Sequence, residues 1–180
     1  MDQRFFKKAH KIKGYTLIEL LVTLGILGAL LALALPGFQD VIESSNTNRQ
    51  AKNFWVSLNL ARSEAIKRGI DVSICASDCD ADTWSEGWIV FVDNNGDADG
   101  DVGSIDAGDI VIRVFETPGA GSTHTFTVNL FSYDNLGFGA TGGVQTFLIC
   151  LATNNASNAR SIEIGASGRG RRIDTGLVCS

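Results

Sequence analysis

Histidine is scarce in this sequence of 180 residues, which contains only His10 and His124. The two lie far apart along the chain, and neither belongs to a readable Ser/His/Asp or Cys/His combination of the kind that nucleophilic catalysis requires. The sequence also lacks a glycine-rich phosphate loop of the Walker type. We therefore expect no enzymatic activity.

Positive charge is scarce beyond residue 14. Residues 15–180 carry 10 basic and 19 acidic side chains, which is a net charge of −9. The charged residues among the first 14 are mostly basic. A body this acidic is not expected to bind nucleic acid over its whole surface, so any such binding needs a local basic patch.

The most informative segment is an apolar run of 21 residues at 15–35, in which Glu19 is the only charge. A helix needs roughly 20 residues to cross the hydrocarbon core of a bilayer, and the basic residues before the run favour a cytoplasmic N-terminus. A cleaved secretory signal has a shorter apolar core and a small-residue cleavage site, which this segment lacks. A plain membrane anchor leaves Glu19 unexplained, because a carboxylate in such a segment is costly without a partner.

The residues around Gly14 resemble the N-terminus of type IV prepilins: a glycine and an aromatic residue, then Thr-Leu-Ile-Glu, then an apolar run. The resemblance implies cleavage after Gly14 by a prepilin peptidase and N-methylation of the new terminal residue, Tyr15, where most members have Phe. In a staggered bundle of helices, Glu19 of one subunit can meet the terminal amine of a neighbour and set the register of assembly. The alternative is that Glu19 only reaches to the membrane interface.

Beyond Pro36 the pattern predicts that the helix continues to Arg68, with a kink at the proline. Apolar residues recur at the i, i+3, i+4, i+7 spacing of one helical stripe, and Gly69 is a natural stop. The stripe consists of Ala51, Phe54, Trp55, Leu58, Ala61, Ala65 and Ile66. We interpret Phe54 and Trp55 as core residues rather than as a ligand site.

After Gly69 the pattern changes to short strands separated by turns. The strand candidates are residues 72–75, 87–92, 109–116, 124–130, 146–151 and 161–164. No alternation of strands with helices is visible, so an antiparallel sheet or small sandwich is favoured. We expect an α+β fold in which a long N-terminal helix packs on this β head. Its expected parts are a leader at 1–14, a transmembrane assembly helix at 15–36, and a head at 37–180 with an amphipathic helix at 37–68 and a β-rich part at 70–180.

The order of these parts resembles the GspH/FimT family of minor pilins and pseudopilins over nearly the whole chain. The matching segments are Leu-Asn-Leu-Ala-Arg-Ser-Glu-Ala-Ile, Val-Ser-Ile-Cys, Trp-Ser-Glu-Gly-Trp-Ile-Val-Phe-Val-Asp and a late Gly-Arg. The resemblance implies a helix packed on two small antiparallel sheets, and assembly with other major and minor pilins at an inner-membrane platform. The helix at 15–35 would hold the subunit in the inner membrane, with its head in the periplasm, before it enters a pilus or pseudopilus.

The four cysteines suit an exported head, because disulfides persist in oxidising surroundings. Four cysteines allow three pairings. We favour Cys75–Cys79, which closes a local loop, and Cys150–Cys179, which ties the C-terminal tail to a strand. A zinc site is the alternative, but Cys150 and Cys179 lack the close neighbours that such a site needs.

An oxygen-rich stretch begins at Asp93 and ends at Asp109, and turns of this composition can bind Ca²⁺. The EF-hand pattern fails, because Ala98 stands at its sixth position and Ser104 at its twelfth. We interpret the stretch as a solvated hairpin tip, with calcium as the alternative, and expect no cofactor.

A short basic element begins at Gly168 and continues with Arg169, Arg171 and Arg172. Its glycines let the backbone approach a partner, and arginine forks suit bidentate contacts with phosphate. The element is similar to the Gly-Arg-x-Arg tail of FimT-type minor pilins, which implies DNA binding during natural transformation. Arg169 and Arg171 match that motif, and we add Arg172 and Arg160 to the predicted contacts.

Such contacts would be directed at the DNA phosphate backbone, weak and strongly salt-dependent. The alternative is a surface turn whose arginines pair with aspartates of the head or of neighbouring subunits. For the whole protein we favour a minor pilin of a type IV pilus, and a GspH-type pseudopilin of type II secretion is the alternative. The leader and first helix do not separate these two roles.

Overall fold

The computed structural model describes residues 14–77, 79, 81–92, 94, 105, 108–116, 122–140, 142–151 and 156–179, without the side chains of 33–39 and 81–83. The expected leader lies outside these ranges except for Gly14. The chain divides into two compact units, Met1–Gln39 and Asp40–Ser180.

A long helix, α1 (Leu17–Arg68), has nearly the bounds that the sequence predicts. Thr16 caps its N-terminus, since Thr16 Oγ1 accepts a hydrogen bond from the Glu19 backbone N–H at 3.3 Å. At the other end, Gly69 adopts φ +69° and donates a backbone hydrogen bond to the Ala65 carbonyl, a common way to end a helix. The kink expected at Pro36 stays a prediction.

In the first unit, residues 17–32 form exposed helical turns. Its apolar side chains, such as Leu17, Ile18, Leu24 and Leu30, are more than half exposed. Within the residues that the structure describes, no helix combines the length and the apolar character that crossing a membrane requires. The span expected at residues 15–35 is therefore not confirmed and stays a prediction.

The second unit contains two antiparallel sheets of four strands each in the described part of the chain. The strands are β1 (Val72–Ala76), β2 (Gly87–Val92), β3 (Ile110–Glu116), β4 (Ser122–Phe126), β5 (Leu130–Tyr133), β6 (Gln145–Leu151), β7 (Arg160–Ile164) and β8 (Gly170–Ile173). The first sheet has the order β3-β2-β1-β5 and the second the order β4-β6-β7-β8. This arrangement confirms the expected α+β fold, a helix on an antiparallel β head.

The core of this unit lies between α1 and the two sheets. Phe54 of α1 stacks on Phe147 of β6, with ring centroids 3.6 Å apart, and meets Trp88 of β2 edge-on. Burying an aromatic side chain of this kind stabilises a fold by roughly 1.5–3 kcal/mol. The buried members of the predicted stripe are Ala51, Phe54, Leu58, Ala61 and Ala65.

Two residues of the stripe depart from the prediction. Trp55 is 37% exposed and Ile66 is 53% exposed, so neither belongs to the core. Trp55 lies instead against the edge strand β8, where a Cβ added to Gly170 would be 2.9 Å from the indole ring. The interpretation of Trp55 as a core residue was wrong. Trp55 follows buried Phe54 by one position, and that rotation around the helix places its side chain at the edge of the buried face.

The strand expected at 124–130 is two strands in different sheets. β4 ends at Phe126 in the second sheet, and β5 begins at Leu130 in the first. Apolar residues continue to alternate through Val128, which packs on the core between the two strands. The alternation in the sequence therefore gives no sign that the chain passes from one sheet to the other. The sequence also predicts no strand at β8, since its Gly-Arg-Arg-Ile lacks the alternation of a half-buried strand.

Two disulfides link parts of the second unit. Cys75 bonds to Cys79 just after β1, and Cys150 of β6 bonds to Cys179 in the segment that follows β8. This is the pairing that the sequence analysis favours.

Candidate functional site

The N-terminal residues singled out above lie at the start of α1. Gly14 and Tyr15 precede the helix and are exposed. Thr16 is the N-cap and Glu19 the third helical residue, which is the Thr-x-x-Glu arrangement of a capping box. A carboxylate in the first turn also interacts favourably with the positive end of the helix dipole. The helix therefore accommodates Glu19, whose carboxylate has no ion pair with any described residue.

The basic element forms a turn and an edge strand of the second sheet. Arg169 lies in the turn between β7 and β8, while Arg171 and Arg172 lie on β8. In the register, Arg171 is opposite Glu163 and Arg172 is opposite Ile162. Since side chains alternate along a strand, Arg171 and Arg172 point to opposite faces of the sheet.

Arg169 and Arg171 are accessible to an anion. Arg171 Nη2 lies 2.8 Å from Glu163 Oε2, yet the Arg171 side chain is 75% exposed. An exposed ion pair contributes only about 0.2–1 kcal/mol, so another anion can replace the carboxylate. Arg169 is exposed, and its guanidinium forms no ion pair with the residues that the structure describes.

Arg172 and Arg160 lie on the opposite face and contact α1. Arg172 donates a hydrogen bond to Asp174 Oδ1 at 2.6 Å and another to Asn48 Oδ1. Arg160 donates to Asn48 Oδ1 at 3.1 Å, to Ser44 Oγ at 3.2 Å, and to two backbone carbonyls just before it.

The structure brings Arg160 together with Arg172, since both contact Asn48 Oδ1 and Asp174 Oδ1, but it places Arg160 on the face opposite Arg171. The Arg160 side chain is 11% exposed, and most of its N–H donors are already used within the head. Arg160 therefore joins the helix to the sheet, and we no longer include it among the proposed phosphate contacts.

Gly168 has a role inside the head. It adopts φ +70°, and a Cβ there would collide with the Gly137 carbonyl oxygen and lie 2.8 Å from the Tyr133 ring. The Gly168 carbonyl accepts a hydrogen bond from Tyr133 Oη at 3.1 Å. Burial raises the pKa of Tyr133, with a smaller opposing effect of Arg62, so the hydroxyl stays a neutral donor. Packing of the turn therefore requires this glycine whether or not a partner binds.

Trp55 separates two hollows beside the basic element. One has a volume of about 440 Å³ and is lined by Asn48, Ala51, Lys52, Trp55, Ile162 and Arg172. The other, of about 200 Å³, includes Trp55, Arg62, Tyr133, Arg169 and Gly170 in its lining. Helical spacing alone could not identify Trp55 as part of this surface, because the same spacing describes the buried stripe.

His124 is buried in β4 and serves the fold. Its Nε2 lies 2.7 Å from Gln50 Oε1 on α1, and its Nδ1 lies 3.3 Å from the Trp84 carbonyl oxygen. Burial lowers the pKa of His124 to about 4, against a smaller opposing effect of the bond to Trp84. The ring is therefore neutral near pH 7.

The described part of the chain contains no group of three or more His, Cys, Asp or Glu side chains that could hold a metal ion. Most of the stretch from Asp93 to Asp109 lies outside the described residues, so the calcium alternative there is not tested. At its base, the Asn94 backbone N–H donates to Asp109 Oδ1 at 3.3 Å. Among the residues that the structure describes, no cofactor is indicated.

Comparison with known proteins gives two family models that match this chain. The model described as type II transport protein GspH matches residues 50–168, and the prokaryotic N-terminal methylation motif matches residues 9–35. Fimbrial protein Q and the type IV major alpha-pilin, both from Moraxella bovis, are each 54% identical to this chain over 37 residues. That match covers 21% of this chain and 24% and 23% of those proteins, so the chain spans about a quarter of the curated relatives it matches.

Two solved structures share the fold. The type IV minor pilin FimU of Pseudomonas aeruginosa has a TM-score of 0.57 and 21% identity, over 76% of this chain and 94% of that one. The minor pseudopilin EpsH from the type 2 secretion system of Vibrio cholerae has a TM-score of 0.50 and 16% identity, over 73% of this chain and 99% of that one.

Proposed function

Because this chain belongs to the GspH family of type II transport proteins, we propose that it is a minor pilin that assembles into a type IV pilus and helps to initiate it. The methylation motif and the pilin fold of the head support a pilin or pseudopilin subunit. Such subunits are structural, and we propose no enzymatic activity.

In the proposed pathway, residues 1–14 are a leader that a prepilin peptidase removes after Gly14, and Tyr15 becomes the methylated N-terminus. Residues 15–35 hold the subunit in the inner membrane, with the head in the periplasm, until the assembly platform adds it to the fibre. The Glu19 carboxylate then pairs with the terminal amine of a neighbouring subunit. Support comes from Glu19 itself, a lone acid among exposed apolar side chains with no ion pair in the described residues.

Replacement of this acid tests the assembly role. Glu19→Ala should be processed normally but be lost from sheared filaments, as measured by immunodetection of the filament and membrane fractions. Asp40→Ala is the matched control, since Asp40 is an exposed carboxylate further along α1. Normal incorporation of the Glu19 variant would reject the proposed pairing.

We further propose that Arg169 and Arg171, with Arg172 on the other face of the same edge strand, bind the DNA phosphate backbone for natural transformation. The observation that carries this proposal is the exposed Arg169, without an ion pair to the described residues, next to the exposed and weakly paired Arg171. Each arginine that contacts a phosphate should contribute roughly 0.7–0.9 to the slope of log affinity against log salt concentration.

A mobility shift with short duplex DNA, using the processed protein (residues 15–180) in detergent micelles, tests this site. The double variant Arg169→Gln/Arg171→Gln should abolish the shift at moderate salt. The double variant Arg68→Gln/Arg113→Gln is the matched control, because it also removes two positive charges, one at the end of α1 and one from β3 in the other sheet. An unchanged shift in the double variant would reject the site.

The second candidate function is that of a GspH-type pseudopilin in type II secretion. The GspH family match and the likeness to EpsH favour it, while the basic element favours the pilus. Deletion of the gene separates the two roles when transformation, twitching and protein secretion are scored together. Loss of secretion alone would establish the pseudopilin role.

A further inference from the structure

Trp55 differs from the other two tryptophans of the chain in its exposure. Trp84 and Trp88 are buried to 0% and 1% exposure in the aromatic core, whereas Trp55 remains 37% exposed on α1. An indole on the surface loses the stabilisation that burial of its apolar area would give. Its position therefore calls for an explanation other than core packing.

The backbone of β8 holds the Trp55 ring in place. A Cβ added to Gly170 would lie 2.9 Å and 3.3 Å from two carbons of the six-membered ring. The ring thus rests on the glycine between Arg169 and Arg171, and a side chain at that position would displace it. Because Trp55 is fixed by this contact, little conformational freedom remains to be lost when a flat ligand binds.

Cationic side chains lie on both sides of the ring. Arg169 lines the smaller hollow, and Lys52 and Arg172 line the larger one. Lys52 and Arg169 are exposed and form no ion pair with the residues that the structure describes. Ala51 and Ile162 give the larger hollow an apolar wall, and its volume of about 440 Å³ lies in the range of small-ligand sites.

An aromatic ring between cations is the combination by which proteins bind single-stranded nucleic acid, because the phosphates follow the cations while a base stacks on the ring. A duplex hides the faces of its bases within the helical stack, so it can use the cations but not the ring. An apolar side chain of a neighbouring subunit would need the ring but gain nothing from the cations. The charges beside Trp55 therefore favour a nucleic-acid strand as the occupant.

We propose that Trp55 is a stacking platform for an unpaired nucleobase, so that the basic element binds single strands more tightly than its phosphate contacts alone would allow. This inference rests on the proposed binding of phosphate by Arg169 and Arg171. Lys52 and Arg169 contact the phosphates on either side of the stacked base.

The test compares two strands of equal length, oligothymidylate and an abasic strand with the same number of phosphates. Fluorescence anisotropy with the full-length protein in detergent micelles should show roughly 5- to 100-fold tighter binding of oligothymidylate, as expected for one stacked base. Trp55→Leu should bring the ratio of the two affinities to about one. Trp55→Phe, which keeps an aromatic ring, should retain most of the ratio.

Intrinsic fluorescence gives an independent reading of the same contact. Because Trp84 and Trp88 are buried, quenching by an added strand reports mainly on Trp55. Oligothymidylate should quench the emission, and the abasic strand should not. Val56→Ala is the matched control: it alters an exposed apolar neighbour on α1 and should keep both the affinity ratio and the quenching.

The outcomes distinguish this inference from the function on which it rests. Equal affinity of the wild type for both strands, or an unchanged ratio in Trp55→Leu, would overturn base stacking and leave phosphate binding intact. Loss of Trp55→Leu from filaments with an unchanged ratio would identify a neighbouring subunit as the occupant and would also overturn the inference. No binding of either strand or of duplex DNA would overturn both proposals. If Trp55→Leu unfolds at the assay temperature, Trp55→Phe and the quenching measurement decide.

Discussion

Arg171 and Glu163 face each other across the β7–β8 pair, with Nη2 and Oε2 2.8 Å apart. The carboxylate orients the guanidinium on this face of the sheet, but it also occupies Nη2, one of the donors that a phosphate could use. The proposed binding of phosphate at Arg171 would therefore be a competition between two anions, and the pair with the partly exposed Glu163 carboxylate contributes little because solvent screens it.

Removing this competitor should strengthen DNA binding. Glu163→Gln eliminates a negative charge beside the proposed phosphate contacts, and we expect affinity for duplex DNA to rise about 2- to 5-fold at low salt. Anisotropy titrations at two salt concentrations would measure the change, with Glu116→Gln on β3 as a control of equal charge. An affinity unchanged by Glu163→Gln would mean that Arg171 does not contact the phosphate.

Gly168 should be more sensitive to substitution than its neighbour Gly165. Gly168→Ala places a Cβ against Tyr133 and the Gly137 carbonyl at φ +70°, so we expect a loss of about 2–4 kcal/mol in the free energy of unfolding. A Cβ at Gly165 would meet no atom within 4 Å, and Gly165→Ala should change stability by less than about 0.5 kcal/mol. Urea unfolding would measure both. Similar losses in the two variants would contradict the internal role of Gly168.

The two disulfides should contribute unequally to stability. Cys150–Cys179 joins residues 29 positions apart, whereas Cys75–Cys79 joins residues 4 apart. Loop entropy in the unfolded chain then predicts a loss of about 3.5 kcal/mol for Cys150→Ala/Cys179→Ala and about 2 kcal/mol for Cys75→Ala/Cys79→Ala. Denaturant unfolding under non-reducing conditions checks the order. A larger loss from the short loop would show that burial of Cys75 outweighs the entropy of the chain.

The buried His124 should make stability fall in mild acid. Its pKa is lowered to about 4 in the folded state, against roughly 6.5 in an unfolded chain. The unfolded state therefore binds the proton first, and stability that is present above about pH 6.5 is lost as the pH falls toward 4. Between about pH 7.5 and 5 this histidine should remove about 2 kcal/mol from the free energy of unfolding.

Urea unfolding of the wild type and of His124→Gln at these two pH values isolates the effect from that of the carboxylates. The variant is expected to lose stability at both pH values but to lack the histidine's share of the slope. A slope that is the same in both proteins would assign the acid sensitivity to other groups.

The sequence predicts the helix and most of the strands better than it predicts the surface of the site. Buried Phe54 and exposed Trp55 are neighbours in one apolar stripe, but Phe54 is covered by Phe147 and Trp88 of the two sheets, whereas Trp55 lies at the edge strand β8. That strand is itself hidden in the sequence, because a strand at the rim of a sheet can carry charged side chains without apolar alternation. Arg160 could not be separated from Arg169 for a similar reason: the difference lies in contacts with Asn48 and Ser44, more than 100 positions earlier in the chain.

The Cys150–Cys179 bond closes a covalent ring that contains β7, β8 and the turn with Arg169 between them. A pulling force applied at this turn would act on the ring from both of its ends. The pulling force then passes through a sulfur–sulfur bond into β6 at the centre of its sheet, so the rim strand cannot be peeled away from the C-terminus alone. The turn with Arg169 is thereby anchored by covalent bonds on both sides, and not only by the lateral hydrogen bonds of the last strand.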